Sequence, residues 1–238
     1  MNHKYKKYIK NKSINGPWST NRIPQKKIYD FIITIPCYNE YEYIFKTLDS
    51  IQYQDKDILT HALIVIVINN SSENNLEVVN NNLKTYQKLI TQKYDFELIV
   101  IDSFSKGKSL DKKNAGVGLA RKIACDTALQ WADTCSIFCF LDADTIIDKN
   151  YLISIKTSYD KYNWEAATVL FKHQEDDPKT TIYIHQYEEF LISTSKYLQK
   201  SGSPYCYIPL GSTIVCTVSA YIGIGGMNKR KAAEDFYF

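Results

Sequence analysis

The sequence predicts an α/β fold in one domain, with a mainly parallel sheet covered by helices on both faces. Three observations carry that reading. Short apolar, β-branched runs recur at residues 31–35, 63–68, 96–101 and 136–141; segments with helical spacing separate them; and two aspartates, Asp142 and Asp144, leave the end of the fourth run. Strands and helices alternating at this interval imply right-handed crossovers between parallel neighbours, which places helices on both faces.

The elements follow in order. Residues 1–27 contain Gly16-Pro17 and Pro24 and no sustained period, so an irregular arm that wraps the domain or is partly disordered is expected. Phe31 to Ile35 reads as a strand buried on both faces, halted by Pro36. Residues 40–52 fit a helix with Ile44, Phe45, Leu48 and Ile51 on one side. After the second strand, Ser71-Ser72 supplies a candidate N-cap. The helix that follows, to about Tyr94, places Leu76, Val79, Leu83, Tyr86 and Ile90 on its apolar face. A polar loop at 102–113 separates the third strand from a helix near 115–131. Beyond Asp148 the rhythm loosens to a helix at 151–162, a strand at 164–171 and a longer amphipathic helix at 181–200. Gly202, Pro204, Pro209, Gly211, Gly223, Gly225 and Gly226 then crowd into a stretch read as turns or as backbone that approaches a ligand.

Composition sets the outer limits. With 45% hydrophobic and 13% aromatic residues, 238 residues form a sizeable core, which excludes general disorder. The net charge of +3 hides an asymmetry. The arm carries eight bases and no acid, and the remaining 211 residues carry 21 bases against 26 acids, a net −5. The longest unbroken apolar run, 62–68, is far short of the ~18–20 residues that span a bilayer, and the N-terminus lacks a signal-like apolar stretch. A cytoplasmic location is expected. The six cysteines show no CxxC and no regular spacing, and read as buried free thiols.

The strongest chemical signal is Phe138-Cys139-Phe140-Leu141-Asp142-Ala143-Asp144-Thr145. Two carboxylates at the carboxyl end of a buried strand, two residues apart, can offer oxygens to one hard divalent ion and through it to phosphate. Alone, the motif also fits an acidic, solvated loop. Pro36-Cys37-Tyr38-Asn39-Glu40 follows the first strand, Asn69-Asn70-Ser71-Ser72 the second, and Gly116-Val117-Gly118 opens the third helix. Singly these could be strand ends, turns and helix-packing glycines.

Their succession, TIPCYNE, VINNSSENN, GVGLARK, FLDADT and GIGGMNKRKAAED, resembles the family 2 glycosyltransferases of the GT-A (Rossmann-like) fold, over roughly residues 30–238. The resemblance implies inverting transfer of a sugar from a nucleoside diphosphate sugar, UDP-linked as its first expectation, to an acceptor hydroxyl with Mg²⁺ or Mn²⁺. It implies that Pro36, Tyr38 and Glu40 line the nucleotide pocket, with Tyr38 stacked on the base. Asn69 or Asn70 stands where the family usually has a base-binding Asp; an Asn carbonyl accepts a hydrogen bond without charge assistance. Arg121 falls where a basic residue lies near the donor, and Lys113 and Gly116 flank the same helix start, a phosphate-favouring place. Asp142 and Asp144 match the diphosphate and metal pair, Asp144 being the direct ligand. Glu234 and Asp235 match the Glu-Asp pair that supplies the catalytic base; without the family they read as an exposed acidic pair at a helix start.

On this reading residues 28–148 form the nucleotide-sugar half and 149–238 the acceptor half, with acceptor contacts expected within 174–180 and 201–226. The family continues beyond the Glu-Asp pair with a segment that closes over the substrates, so the sequence is expected to be incomplete at its C-terminus. The implied role is synthesis of cell-surface polysaccharide, lipopolysaccharide or glycolipid, without a nucleic-acid partner. The basic arm, residues 1–27, is expected either to meet an anionic membrane peripherally, where lipid-linked acceptors reside, or to be a solvated tail. Three other functions compete. The chain could bind a nucleotide sugar without turnover, or be a phosphatase with Asp142 as nucleophile. A dinucleotide oxidoreductase is disfavoured because Gly116 and Gly118 lack the third glycine and do not follow the first strand.

Overall fold

The computed structural model describes residues 3–174 and 178–238. In chain order the strands are β1 (Ser19–Thr20), β2 (Phe31–Cys37), β3 (Ala62–Asn69), β4 (Glu97–Ser103), β5 (Ile137–Phe140), β6 (Ala166–Thr168) and β7 (Ile214–Thr217). They form one sheet in the order β1-β4-β3-β2-β5-β7-β6. The four central strands are parallel, with Ile33 beside both Ile64 and Cys139, and the flanking strands β1, β7 and β6 are antiparallel. The chain leaves β2 toward β3 and β4 and then returns to lay β5 on the other side of β2. Such a reversal opens a crevice at the carboxyl ends of the strands.

The helices are α1 (His3–Asn11), α2 (Ile44–Gln52), α3 (Lys56–Leu59), α4 (Leu76–Thr91), α5 (Val117–Ala128), α6 (Tyr151–Tyr162), α7 (Pro178–Lys200), α8 (Val218–Ile224) and α9 (Glu234–Tyr237). Alternate strand residues feed two cores, because successive strand side chains point to opposite faces. Ile32, Val65, Ile99 and Phe138 meet α1, α5 and α8 on one face; Ile33, Ile64, Val100 and Cys139 meet α2, α4 and α6 on the other. The central strands are apolar without alternation because both faces are covered.

The arm departs from the irregular segment expected. It begins with a helix whose Tyr5 and Tyr8, one turn apart, are buried, and it ends by pairing β1 with β4. It does wrap the domain. Its anchor is Asp126 on α5, which accepts from the Tyr8 hydroxyl at 2.7 Å, the Tyr221 hydroxyl at 2.9 Å and the Ile14 amide at 2.9 Å, and pairs with buried Lys122 at 3.1 Å. A buried carboxylate is tolerable when its oxygens are satisfied in this way. Burial and Asp126 together push the Tyr8 phenol far above its usual range. Gly226 adopts φ 79°, and the Tyr8 hydroxyl occupies the place its Cβ would take, so the turn after α8 admits only glycine beside the arm.

Other expectations shift for physical reasons. The N-cap of α4 is Asn75, whose side chain accepts from the Val78 amide, while Ser71 is held in a bridge to Leu110. The inward face of α4 is Asn82, Thr85 and Leu89, and Leu76, Leu83 and Ile90 are exposed. Asn82 faces inward because it donates to the Asn69 carbonyl and accepts from the Asn39 amide, a bond that an apolar side chain cannot make. The strand expected at 164–171 shrinks to β6. The glycine- and proline-rich stretch holds β7 and α8, elements that its composition conceals. All six cysteines are free; Cys37, Cys125, Cys139 and Cys216 are buried, whereas Cys135 is exposed. Among the described residues no helix is long and apolar enough to cross a membrane. Residues 175–177, within one expected acceptor stretch, lie outside the described residues.

Candidate active site

Four strand ends build one cleft of about 500 Å³. At the end of β2, Asn39 takes the left-handed conformation, φ 64°, which asparagine tolerates better than most residues. The bond from its amide to Asn82 fixes that turn, and Tyr38 and Glu40 on either side enter the cleft wall. At the end of β3, Asn69 is buried and lines the cleft, its Oδ1 without a protein partner. Asn74 donates to the Tyr38 hydroxyl at 2.7 Å and accepts from the Ser71 amide at 3.1 Å, joining the two loops.

The loop after β4 is zipped to the loop after β3 through the Leu110 amide, bonded to the Asn70 carbonyl at 2.9 Å, and the Ser72 amide, bonded to the Leu110 carbonyl at 3.0 Å. That pairing carries Lys112 into the cleft wall, where its ammonium meets Glu73 at 2.5 Å. After β5, Asp142, Ala143 and Asp144 form the opposite wall. Thr47 donates to the Ala143 carbonyl at 2.7 Å and Gln174 to the Asp144 carbonyl at 2.7 Å, so the Asp-x-Asp turn is held from both sides.

The segment before α9 closes the remaining side. Lys231 lines the cleft, and its backbone lies where a Cβ on Gly116 would be. Gly118 serves the same end: a Cβ there would strike the Arg230 and Asn228 carbonyls. The two glycines therefore admit residues 228–231 against the start of α5. Beneath the cleft Arg121 is almost wholly buried and bridges Asp142 and Glu234, with the backbone of Gly211 flat against its guanidinium.

The sequence-selected residues separate accordingly. Pro36, Tyr38, Glu40, Asn69, Gly116, Asp142 and Asp144 come together in the cleft wall. Asn70 is buried behind Asn69, also with an unpartnered Oδ1. Lys113 is exposed and does not line the cleft, and its neighbour Lys112 takes the cleft position. Arg121 lies under the cleft rather than in it, because two carboxylates and a glycine draw it into the interior. Glu234, which the resemblance pairs with Asp235 at the catalytic position and which without it reads as exposed, is buried on Arg121, while Asp235 is half-buried and outside the cleft lining. Lys112, Lys231, Ser71 and Asn74 were not selected from the sequence. Ser71 and Asn74 lay within the quoted stretch after β3, and Lys231 within the last quoted stretch, without being singled out.

The electrostatics suit a ligand of mixed charge. Burial, then Asp144 and Asp142, raise the Glu40 carboxyl above its ordinary range. Burial and Asp142 raise Asp144. Burial raises Glu234 against the opposing pull of Arg121. Among the described residues no three His, Cys, Asp or Glu side chains form a ready metal cage. The donor set still fits a hard divalent cation: carboxylate oxygens that repel one another, with room for the water and phosphate ligands such ions keep.

No protein-family model and no curated protein matches the sequence. Solved structures do match. Residues 1–349 of S. aureus TarS in complex with UDP superpose with a TM-score of 0.57 at 19% identity, covering 87% of this chain and 52% of that one. The same fragment without UDP gives 0.56 at 20% identity and the same coverage. The mannosyltransferase PcManGT from Pyrobaculum calidifontis, in complex with GDP-Man and Mn²⁺, gives 0.51 at 17% identity, covering 97% of this chain and 55% of that one. The shared fold is GT-A, and the chain spans about half the length of these structures.

The raised Glu40 and Asp144 carboxyls carry a signed consequence. A carboxyl that binds its proton more tightly when folded lowers stability as pH rises through the ordinary carboxylate range. Glu40→Gln should therefore raise the melting temperature at neutral pH and leave it unchanged near about pH 3, where both forms are neutral. Thermal unfolding at the two pH values, without divalent metal, checks this.

Proposed function

We propose that the chain is a metal-dependent, inverting glycosyltransferase of family 2 type that moves a sugar from a nucleoside diphosphate sugar, UDP-linked by first expectation, to an acceptor hydroxyl. The observation that carries the reading is one cleft in which Asp142 and Asp144 face Tyr38 and Asn69, with Lys112 and Lys231 in its walls. Carboxylates for a cation, ammonium groups for phosphate, and an aromatic ring beside neutral amides for a base are the parts a nucleotide sugar requires. The GT-A fold, shared with structures that hold UDP or GDP-Man, supports the same reading.

In this proposal Asp144, with Asp142, would hold Mg²⁺ or Mn²⁺, which neutralises charge on the leaving diphosphate. Tyr38 would flank the base, and the Asn69 carbonyl, unpartnered at the cleft, would accept from it. Lys112 and Lys231 replace Lys113 and Arg121 as the basic groups that meet the diphosphate. Glu234 is committed to Arg121, so Asp235 is the member of the pair left to accept a proton. It would take the acceptor's hydroxyl proton as that oxygen attacks the anomeric carbon, forming the new glycosidic bond while the bond to the diphosphate breaks on the opposite face. The product belongs to cell-surface polysaccharide, lipopolysaccharide or glycolipid synthesis in the cytoplasm. A binder without turnover is favoured by one fact, the position of Asp235 outside the cleft lining.

Asp144→Ala and Asp235→Ala should each lower transfer by a factor of about 100 or more. Only the first should weaken Mn²⁺-dependent nucleotide binding in calorimetry. Metal-dependent donor hydrolysis surviving Asp144→Ala would contradict the assignment, and nucleotide-sugar binding with no diphosphate release by the unaltered chain would establish the binder instead.

The arm contributes a peripheral membrane contact in the same proposal. With Tyr5 and Tyr8 turned inward, exposed Lys6, Lys7 and Lys10 fall on the outer face of α1, and among the described residues none pairs with a carboxylate. Deleting the arm would uncover the core, so charge reversal is the cleaner test. Lys6→Glu with Lys7→Glu and Lys10→Glu should lower co-sedimentation with anionic vesicles by about a hundredfold. Equal binding by both proteins would remove the contact.

A further inference from the structure

The segment between α8 and α9 carries three consecutive bases, Lys229, Arg230 and Lys231, all exposed. Its backbone is fixed. The Gly118 amide donates to the Arg230 carbonyl at 3.2 Å, the Arg230 amide donates to the Asn228 side-chain oxygen at 3.1 Å, and the Asn228 side chain donates to the Glu234 carbonyl at 2.8 Å. Among the described residues none of the three bases pairs with a carboxylate. Like charges held side by side repel one another, and an anion that reaches them relieves the repulsion. The three do not share one task. Lys231 lines the cleft, where the diphosphate of the proposed donor would lie, whereas Lys229 and Arg230 stand outside that lining. Lys229 borders the neighbouring hollow beside the arm. Arg230 rests on Tyr237, its guanidinium carbon 3.6 Å from the ring centroid, and that ring is 58% exposed. Stacking of this kind restrains the guanidinium and leaves its N–H fork to meet an oxyanion through two bonds. Tyr237 lies two residues beyond Asp235, which puts the fork on the side of the proposed proton acceptor.

We propose that Lys229 and Arg230 form an oxyanion subsite for the acceptor, which carries a carboxylate or phosphate group close to the hydroxyl it offers. The inference rests on the proposed transfer and names the chemical class of its acceptor, an anionic saccharide rather than a neutral one. Three observations select that ligand. The donor's own anion is met inside the cleft by Lys112 and Lys231, so the two outer bases are left for a different one. Their backbone is bonded to α5 on one side and to the Glu234 carbonyl on the other, so they stand in a fixed relation to the segment that bears Asp235. A stacked guanidinium also suits one oxyanion held at one place, whereas attraction to a charged bilayer needs only bases on the surface, as α1 supplies them.

Two readouts separate the subsite from the reading beneath it. Calorimetry with UDP and Mn²⁺ reads the donor site, and Lys229→Ala with Arg230→Ala should leave it unchanged. Binding of labelled polysaccharides, measured without nucleotide or metal, reads the subsite. Hyaluronate supplies carboxylates, phosphomannan supplies phosphates and dextran supplies neither. The unaltered chain should bind at least one of the two anionic polymers in preference to dextran, and the stronger of them identifies the group. The double variant should weaken that binding about tenfold at low salt, with the difference closing toward about 1 M salt. Arg230→Lys should fall between the two, since it keeps the charge and loses the fork. Lys56→Ala with Lys93→Ala removes the same charge from other exposed places and should change binding by less than about twofold. Equal losses from the two pairs, or no preference for either anionic polymer over dextran, would overturn the subsite. So would a double variant that loses binding to anionic vesicles alone, which would give the two bases to a bilayer. Failure of the unaltered chain to bind UDP, with polymer binding as expected, would overturn the transfer reading and with it the naming of the ligand as an acceptor.

Discussion

A single buried guanidinium ties the molecule's chemistry to its scaffold. Arg121, on the first turns of α5, joins Asp142 at the end of β5 to Glu234 in the last described helix, 113 residues further along the chain. A charge this deep persists only if it is paired and hydrogen-bonded. Its two partners are therefore constraints on everything around them: the Asp-x-Asp turn cannot drift from α5, and the C-terminal segment cannot leave the cleft wall. Gly118, Gly116 and Gly211 belong to the same constraint, since side chains there would displace residues 228–231 or the guanidinium itself.

A second buried node lies one residue away on the same helix. Lys122 and Asp126 fasten α5 to the arm and to Tyr221 of α8, while Arg121 faces the cleft. The turn through Gly225 and Gly226 connects α8 to the segment that bears Lys231 and Glu234, and it lies against Lys12 and Tyr8 of the arm. The arm is thus a brace for the site's C-terminal wall. Its opposite face remains cationic, and this division of one short helix into a buried aromatic side and an exposed basic side places three of the arm's eight bases, Lys6, Lys7 and Lys10, while Arg22 pairs with Glu97.

How far the sequence disclosed this depends on what each residue type can signal. The parallel centre was legible because strands covered on both faces carry apolar interiors, as 31–33, 62–68, 98–101 and 137–140 do. The Asp-x-Asp turn was legible because two carboxylates directly follow an unbroken apolar strand, and its order among the other strand-end pieces set it apart from a solvated loop. The inward face of α4 was not, because Asn82 and Thr85 face the core for their hydrogen bonds rather than for apolarity. Helix α1 was hidden by its length, with two tyrosines as its only periodic signal. Arg121 was expected beside the donor because the resembled family has a basic residue at that place; only its distant partners, invisible in one dimension, draw it inward. The same limit hid Lys231, which reaches the cleft through the close approach allowed by Gly116.

The central claim is that Arg121 acts as a clip between Asp142 and Glu234, and a double-mutant cycle read by urea unfolding tests it most directly. Arg121→Met should cost about 3–5 kcal/mol by leaving Glu234 buried without its partner, and Arg121→Met with Glu234→Gln should recover a large part of that loss, a coupling well above about 1 kcal/mol. Losses that simply add would show that the two side chains do not depend on each other, and the account of the site as a clipped assembly would fail.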